Sequence, residues 1–301
     1  MYENIKIGIL GGDMRQAALA ARLSSLGFEV AVWGLGKGCE IGDAVRCDHW
    51  GGAIKGADAV VLPLPFSRDG VTLNCPLIKT DTPRLSEILQ LTEPKTVVLG
   101  GKLDSAFTLM ATKKQLTPID YFACEQLQIK NAVPTAEGAV AIALDELPIT
   151  LFGAKCAVCG YGKVGKAVAK LLRAMGAVVT VAARSNEALA YAECDGCIPS
   201  RISASEGYSS LCALSECDVI FNTVPYTLFT REVLDSYGKK MLIIDLAGDD
   251  GGVDRAAAAS LGIKTVWALS LPGKVAPFTA AGIICDCVLD LLREKGVIKP
   301  K

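Results

Sequence analysis

The segment CAVCGYGKVGKAVAKLL, Cys156–Leu172, limits the fold of this chain more than any other feature of its sequence. An apolar run ends at Cys159, glycines follow with the spacing G-x-G-x-x-G, and a helical pattern begins near Lys166. In a strand–loop–helix unit the glycines allow a tight turn, a close backbone approach to a pyrophosphate, and close helix–strand packing. N–H groups at the helix start can then bind phosphate. We therefore predict a parallel α/β domain that binds a dinucleotide through Gly160, Gly162, Lys163, Val164 and Gly165.

The next apolar run, VVTVAARS, indicates which dinucleotide. An NAD site carries an acidic residue at the end of this strand, where it accepts from the ribose hydroxyls. Here Arg184 and Ser185 occupy that place. An arginine can pair with a 2′-phosphate and a serine can donate to it, so we predict NADP in preference to NAD. The alternative is a solvated arginine without a ligand.

Polar residues at the ends of two later apolar runs extend this prediction. Ligands of open parallel sheets lie beyond the carboxyl ends of the strands. We therefore predict further cofactor contacts from Asn222, Thr223, Val224, Pro225 and Asp245. For Asn222 and Thr223 the alternative is plain turn chemistry.

Short apolar runs alternate with helix-length segments in both halves of the chain, which is the pattern of parallel sheets with crossover helices. We expect an α/β protein with two Rossmann-like domains and an interdomain cleft. The predicted parts are an N-terminal Rossmann/flavodoxin-like substrate domain at 1–130, an interdomain helix at 131–150, an NADP-binding domain at 151–278, and a C-terminal helix at 279–301 packing across the domain boundary.

The first half has an imperfect glycine loop, GILGGDMRQ. Gly11 and Gly12 follow a strand, but the third glycine is missing and Asp13 would repel a pyrophosphate. A second nucleotide site is therefore disfavoured. Arg15 at a helix start, with Lys102 after a later strand, suits a small carboxylate substrate better. Both could equally be plain surface charges.

Charge and composition exclude several classes of protein. The net charge is −1 with no basic stripe, which argues against nucleic-acid binding, and no apolar run approaches the ~20 residues of a membrane span. We recognise no signal peptide and expect a cytoplasmic protein. The twelve cysteines are expected to be reduced, buried residues, so we predict no metal site, with Cys194/Cys197 as the alternative. The single histidine, His49, is interpreted as a loop residue.

Five segments together resemble one known family. They are GGDMRQ, NAVPTAEGAVAIAL, GYGKVGKAVA with VAARS, FNTVP, and LPGKVAPFTAAG. Nearly the whole chain is similar to the A subunits of dipicolinate synthase. The resemblance implies NADP-dependent oxidation of dihydrodipicolinate, from the lysine/diaminopimelate pathway branch, in the mother cell of a spore-forming bacterium. It also implies the flavoprotein-like B subunit of dipicolinate synthase as partner, and leaves a homo-oligomer open.

The implied substrate is a small dicarboxylate, which needs two cationic or N–H-rich anchors. We assign Arg15 and Lys102 to one domain, and to the other Lys274 in a Gly/Pro loop or a helix start at Thr135. Lys274 and Glu137 are the candidate catalytic residues, although Glu137 is equally suited to a capping box. Another NADP-dependent keto or amino acid dehydrogenase, or a non-catalytic NADP-binding protein, remains the alternative function.

Overall fold

Two six-stranded parallel sheets form the chain, and each glycine-rich loop follows the first strand of one of them. The computed structural model describes residues 2, 4–203, 209–238, 241–248 and 251–299. The chain divides into two units. The first combines Met1–Asn131 with Ala276–Lys301, and the second is Ala132–Val275. This confirms the predicted α/β class with two parallel sheets.

The first sheet has the strand order β3, β2, β1, β4, β5, β6. Its strands are β1 (Lys6–Leu10), β2 (Glu29–Trp33), β3 (Val45–Arg46), β4 (Ala59–Val61), β5 (Val97–Gly100) and β6 (Thr117–Asp120). The helices between them are α1 (Met14–Ser25), α2 (Trp50–Ile54), α3 (Leu85–Leu91) and α4 (Ser105–Lys113). The only histidine of the sequence, His49, caps α2, where its Nδ1 accepts from the Gly51 N–H.

The second sheet repeats this arrangement in the order β12, β11, β10, β7, β8, β9. Its strands are β7 (Lys155–Cys159), β8 (Val178–Ala183), β9 (Ile198–Arg201), β10 (Val219–Asn222), β11 (Leu242–Asp245) and β12 (Lys264–Trp267). Its helices are α6 (Lys163–Ala174), α7 (Asn186–Cys194), α8 (Arg231–Leu234), α9 (Arg255–Leu261) and α10 (Leu271–Val275). This is the doubly wound order of dinucleotide-binding domains.

Alternate residues of a strand enter different apolar layers, because successive side chains point to opposite faces of a sheet. In β7, Cys156 and Val158 join one cluster while Ala157 and Cys159 join another. Burial raises the pKa of Cys156 to about 12 and also raises the pKa of Cys159. Both thiols are therefore protonated core groups near neutral pH.

A long helix, α5 (Glu125–Glu146), differs from its prediction. The sequence predicts a helix that opens at Thr135, after Pro134, but the helix begins ten residues before Thr135 and contains Pro134. A proline inside a helix loses one hydrogen bond and crowds the preceding turn. Packing offsets that cost, since residues on both sides of the proline are buried at helical spacing: Ala132, Ala136, Ala139, Val140 and Ala143.

The end of the chain also differs from its prediction. The segment expected as a Gly/Pro loop around Lys274 is the short helix α10. The last helix, α11 (Pro277–Glu294), packs against α1 and contributes Ala281, Ile284 and Val288 to the core of the first unit. None of the described helices combines the length and the apolar character that crossing a bilayer requires.

Candidate cofactor site

A pocket of about 700 Å³ lies in the second unit beyond β7, β8 and β10. The strand order reverses between β7 and β10, which is where ligands bind in open α/β sheets. Loops after these strands supply most of the lining, which is Gly160, Tyr161, Gly162, Lys163, Val164, Ala182, Ala183, Arg184, Ser185, Ala188, Ile202, Thr223, Val224, Pro225 and Tyr226.

Two glycines of the loop are required by the protein itself. Gly160 has a φ of 90°, and a Cβ there would lie 2.5 Å from Thr223 Oγ1. A Cβ on Gly165 would overlap the carbonyl oxygen of Gly160. The turn and the close approach of α6 to β7 therefore both depend on missing side chains.

Gly162 is different, because a Cβ placed there would have no atom within 4 Å in the described part of the chain, apart from the adjoining backbone. It is the N-cap of α6 with a φ of −79°, a conformation open to any residue. The free space lies in a pocket at the start of a 12-residue helix, whose first N–H groups have no partner within the helix. The residues present thus fit a pyrophosphate held against the backbone.

The end of β8 brings Arg184 and Ser185 to the pocket, where the adenosine end of a dinucleotide binds in this fold. The Arg184 guanidinium carbon lies 5.0 Å from the centroid of the Tyr226 ring. Ser185 caps α7, with its Oγ accepting from the Ala188 N–H at 3.0 Å. Sequence reasoning missed Tyr226, whose only signal is an aromatic residue just after Pro225.

Tyr161, within the glycine loop, also lines the pocket and was not predicted from the sequence. Its hydroxyl donates to Asp195 Oδ2 at 2.6 Å, and Lys166 Nζ lies 5.7 Å from its ring centroid. Burial, together with the bond to Asp195, raises the pKa of Tyr161 well above its usual value. The phenol therefore acts as a neutral donor that ties the loop to the end of α7.

Thr223, Val224 and Pro225 line the pocket, but Asn222 and Asp245 do not. Asn222 is 0% exposed and Asp245 is 3% exposed. The Asn222 amide donates to Asp245 Oδ1 at 2.8 Å. The carboxylate also accepts from the N–H groups of Ala247 at 3.1 Å and Gly252 at 2.6 Å. Because these side chains satisfy one another, they fix the ends of β10 and β11, which corrects their prediction as cofactor contacts.

In the first unit, the N–H groups of both glycines in the loop after β1 donate hydrogen bonds to carbonyl oxygens of the protein. The Gly11 N–H donates to the Trp33 carbonyl at 2.8 Å, and the Gly12 N–H donates to the Asn74 carbonyl at 2.8 Å. These two N–H groups are therefore occupied by carbonyl oxygens of the protein.

Arg15 is buried, at 5% exposure, which excludes the alternative of a plain surface charge. Its Nη2 lies 2.7 Å from Asp13 Oδ2 and also donates to the Leu64 carbonyl at 2.6 Å. Burial raises the pKa of Asp13, but the bonds to Arg15 outweigh that effect and leave the pKa below its usual value. The charge of Arg15 is thus largely neutralised by its neighbour.

The remaining predicted residues lie outside the pocket. Lys102 is exposed after β5, with its N–H donating to Asp120 Oδ1 at 3.0 Å. Thr135 and Glu137 are in the middle of α5, which excludes the predicted helix start and capping box. Glu137 and Lys274 are both exposed. Their helices, α5 and α10, pack closely at Gly138, where an added Cβ would lie only 3.0 Å from Leu271 Cβ.

Two family models match the chain, one in each unit. Residues 6–122 match the N-terminal domain of the dipicolinate synthase A subunit. Residues 135–247 match the NAD-binding domain of D-isomer specific 2-hydroxyacid dehydrogenases. The second unit is thus similar to the nucleotide-binding domains of dehydrogenases.

Similar whole proteins were also found. The dipicolinate synthase A subunit of Bacillus subtilis (strain 168) is 28% identical over 296 residues, which is 98% of each chain. The crystal structure of the corresponding A subunit from Bacillus halodurans superposes with a TM-score of 0.85 and 29% identity, covering 97% of this chain and 99% of that one. The crystal structure of the Bacillus subtilis protein gives a TM-score of 0.83 with 28% identity, covering 97% of both chains. The similarity to this family predicted from the sequence is confirmed.

Proposed function

We propose, from this similarity to the A subunits of dipicolinate synthase, that the chain is an NADP-dependent oxidoreductase that converts dihydrodipicolinate to dipicolinate. The observation that carries the proposal is the pocket around Gly162, in which open space meets the start of α6 in a dehydrogenase-like domain. The flavoprotein-like B subunit of the synthase would be its partner, and the mother-cell cytoplasm of a spore-forming bacterium its location.

NADP is proposed over NAD because of the residues just after β8. These are Arg184 and Ser185, so no carboxylate stands where it would repel a 2′-phosphate. A guanidinium and a hydroxyl both donate hydrogen bonds to phosphate oxygens. Bound NADP would supply the hydride acceptor of the reaction.

The chemistry needs little acid–base assistance from the protein. Oxidation of the dihydropyridine ring removes one hydride and one proton, and the product ring is aromatic. That gain in ring stability favours departure of the hydride. The protein then has to orient the ring, exclude water and accept one proton. This demand agrees with a sequence that has a single histidine, His49, used as a helix cap.

We assign the proton and one carboxylate of the substrate to the two exposed residues beside the crossing of α5 and α10. Glu137 would accept the proton, and Lys274 would bind a substrate carboxylate. Both helices carry segments of the family resemblance, PTAEGA and LPGKVAP.

Substitution of these two residues should affect different kinetic constants. Glu137→Gln should lower kcat by about 100-fold, the usual range for loss of a general base. Lys274→Met should raise the KM for the dicarboxylate by roughly tenfold through loss of a charge-assisted contact. Steady-state kinetics with NADP saturating would measure both. Asp145→Asn, an exposed carboxylate on α5, is the matched control and should change neither constant. Equal effects of Glu137→Gln and Asp145→Asn on kcat would show that Glu137 does not accept the proton.

The function itself is tested by incubating the purified chain with freshly generated dihydrodipicolinate and NADP, with and without the B subunit of a dipicolinate synthase. NADPH formation is the expected result. Consumption of NADPH with pyruvate-like keto acids would instead identify a keto or amino acid dehydrogenase. NADP binding without turnover in either preparation would identify a non-catalytic nucleotide-binding protein.

A further inference from the structure

A second arginine, Arg201, lies at the same sheet edge as Arg184. It is the last residue of β9, which pairs with β8 so that Arg201 is level with Ala183. The next residue, Ile202, donates its N–H to the Ala183 carbonyl at 3.0 Å and lines the pocket. Arg201 is exposed and adjoins the part of the pocket that the end of β8 forms.

The guanidinium of Arg201 points towards the start of α7. Its Nη1 donates to the side-chain carbonyl of Asn186, the first residue of that helix. Ser185, the N-cap, precedes Asn186 directly. The Ser185 Oγ accepts from Ala188, so its hydroxyl hydrogen can still be donated to a ligand. Arg201 and Ser185 thus place donors on one side of the end of β8.

Arg184 lies on another side of the same strand end, against the Tyr226 ring at 5.0 Å. Tyr226 comes from the loop after β10, and both residues line the pocket. A guanidinium held flat by an aromatic ring offers its planar face to a base, because arginine stacks on π-systems as well as forming hydrogen bonds. Arg184 is therefore placed for stacking at least as well as for phosphate binding.

Charge explains why a second arginine is needed. A 2′-phosphate carries close to two negative charges, by analogy with other phosphate monoesters. Arg184 alone would leave part of this charge uncompensated, and Arg201 supplies the second positive charge.

We propose that the two arginines have divided roles. Arg201, with Ser185, binds the 2′-phosphate and sets the preference for NADP, whereas Arg184, with Tyr226, stacks on the adenine ring. The inference rests on the proposed NADP specificity, and it assigns that specificity mainly to a residue 17 positions after Arg184 in the sequence.

The test uses two small probes, adenosine 2′,5′-bisphosphate and AMP, which differ only in the 2′-phosphate. Calorimetric affinities would be measured for the full chain and for Arg201→Ala and Arg184→Ala. Arg201→Ala should lose ~10- to 100-fold in affinity for the bisphosphate and retain its affinity for AMP. Arg184→Ala should weaken both probes by a similar factor. Arg255→Ala, which removes another arginine from an aromatic ring at Trp267, is the control and should change neither.

The outcomes distinguish failure of this inference from failure of the NADP proposal. Unchanged bisphosphate affinity in Arg201→Ala, or equal loss for both probes, would overturn the role of Arg201 while leaving the NADP proposal intact. Equal affinity of the unmodified chain for the two probes would overturn the NADP proposal and this inference together. Retained AMP binding in Arg201→Ala shows that the variant is folded.

Discussion

Gly162→Val should abolish dinucleotide binding while leaving the fold intact. Among the described residues, no atom beyond the adjoining backbone would lie within 4 Å of a Cβ at this position, and the backbone conformation is an ordinary one, so the second unit should tolerate the substitution. The same side chain would occupy the space in which a pyrophosphate approaches the start of α6. Loss of two hydrogen bonds to a charged group, at about 1.5 kcal/mol each or more, predicts an affinity reduced by roughly 100-fold or more.

The measurement pairs NADP titration with thermal unfolding. Gly238→Val is the matched control, because a Cβ there also has no atom of another described residue within 4 Å, and Gly238 lies outside the pocket lining. It should keep full NADP affinity. Replacing the N-cap glycine with valine should cost at most about 1 kcal/mol of stability. NADP binding at normal affinity in Gly162→Val would show that the pyrophosphate does not lie at this loop.

Asp245→Ala should have the opposite signature, a large loss of stability with little change in cofactor affinity. The carboxylate accepts from the Asn222 amide and from the N–H groups of Ala247 and Gly252 in a site with 3% exposure. Removing the acceptor leaves several buried donors without a partner, at about 1–3 kcal/mol each. We expect the second unit to lose about 3–5 kcal/mol, which lowers its Tm by about 10 °C.

Differential scanning calorimetry would measure that loss, and NADP titration well below the Tm would measure binding. Asp245→Asn, which keeps one acceptor oxygen, should lose less stability than Asp245→Ala. Asp235→Ala, an exposed carboxylate just after α8, is the control and should change the Tm very little. An unchanged Tm combined with lost NADP affinity would return Asp245 to the cofactor contacts.

Local sequence patterns indicate the central strands of both sheets better than the edge strands. The central strands of both sheets are uninterrupted apolar runs and could be predicted. The sequence did not reveal β3, β6 and β9, which all lie at sheet edges. β3 has only two residues, while β6 and β9 contain Pro118 and Pro199. Proline is tolerated at an edge because one side of the strand needs no partner, so the local pattern of such a strand is weak.

Polar and glycine residues also differ in whether their roles can be predicted from the local sequence. The spacing of Gly160, Gly162 and Gly165 predicted a dinucleotide loop, because each glycine has a separate local reason to lack a side chain. The sequence could not show that Asn222 and Asp245 bond to each other, or that Asp13 neutralises Arg15. A side chain near a strand end can face a ligand or a neighbouring strand, and its partners decide which.

The sequence by itself determined the α/β class, the position of the nucleotide loop and the absence of an acidic residue just after β8. Each of these depends on a short continuous segment, because hydrophobic periodicity and glycine geometry are local properties of the sequence. Only the tertiary structure decided that α5 continues through Pro134 and that Arg201 lies beside Asn186 at the start of α7. Those outcomes depend on packing and pairing between segments distant in sequence, and these contacts can outweigh the local preference of any one segment.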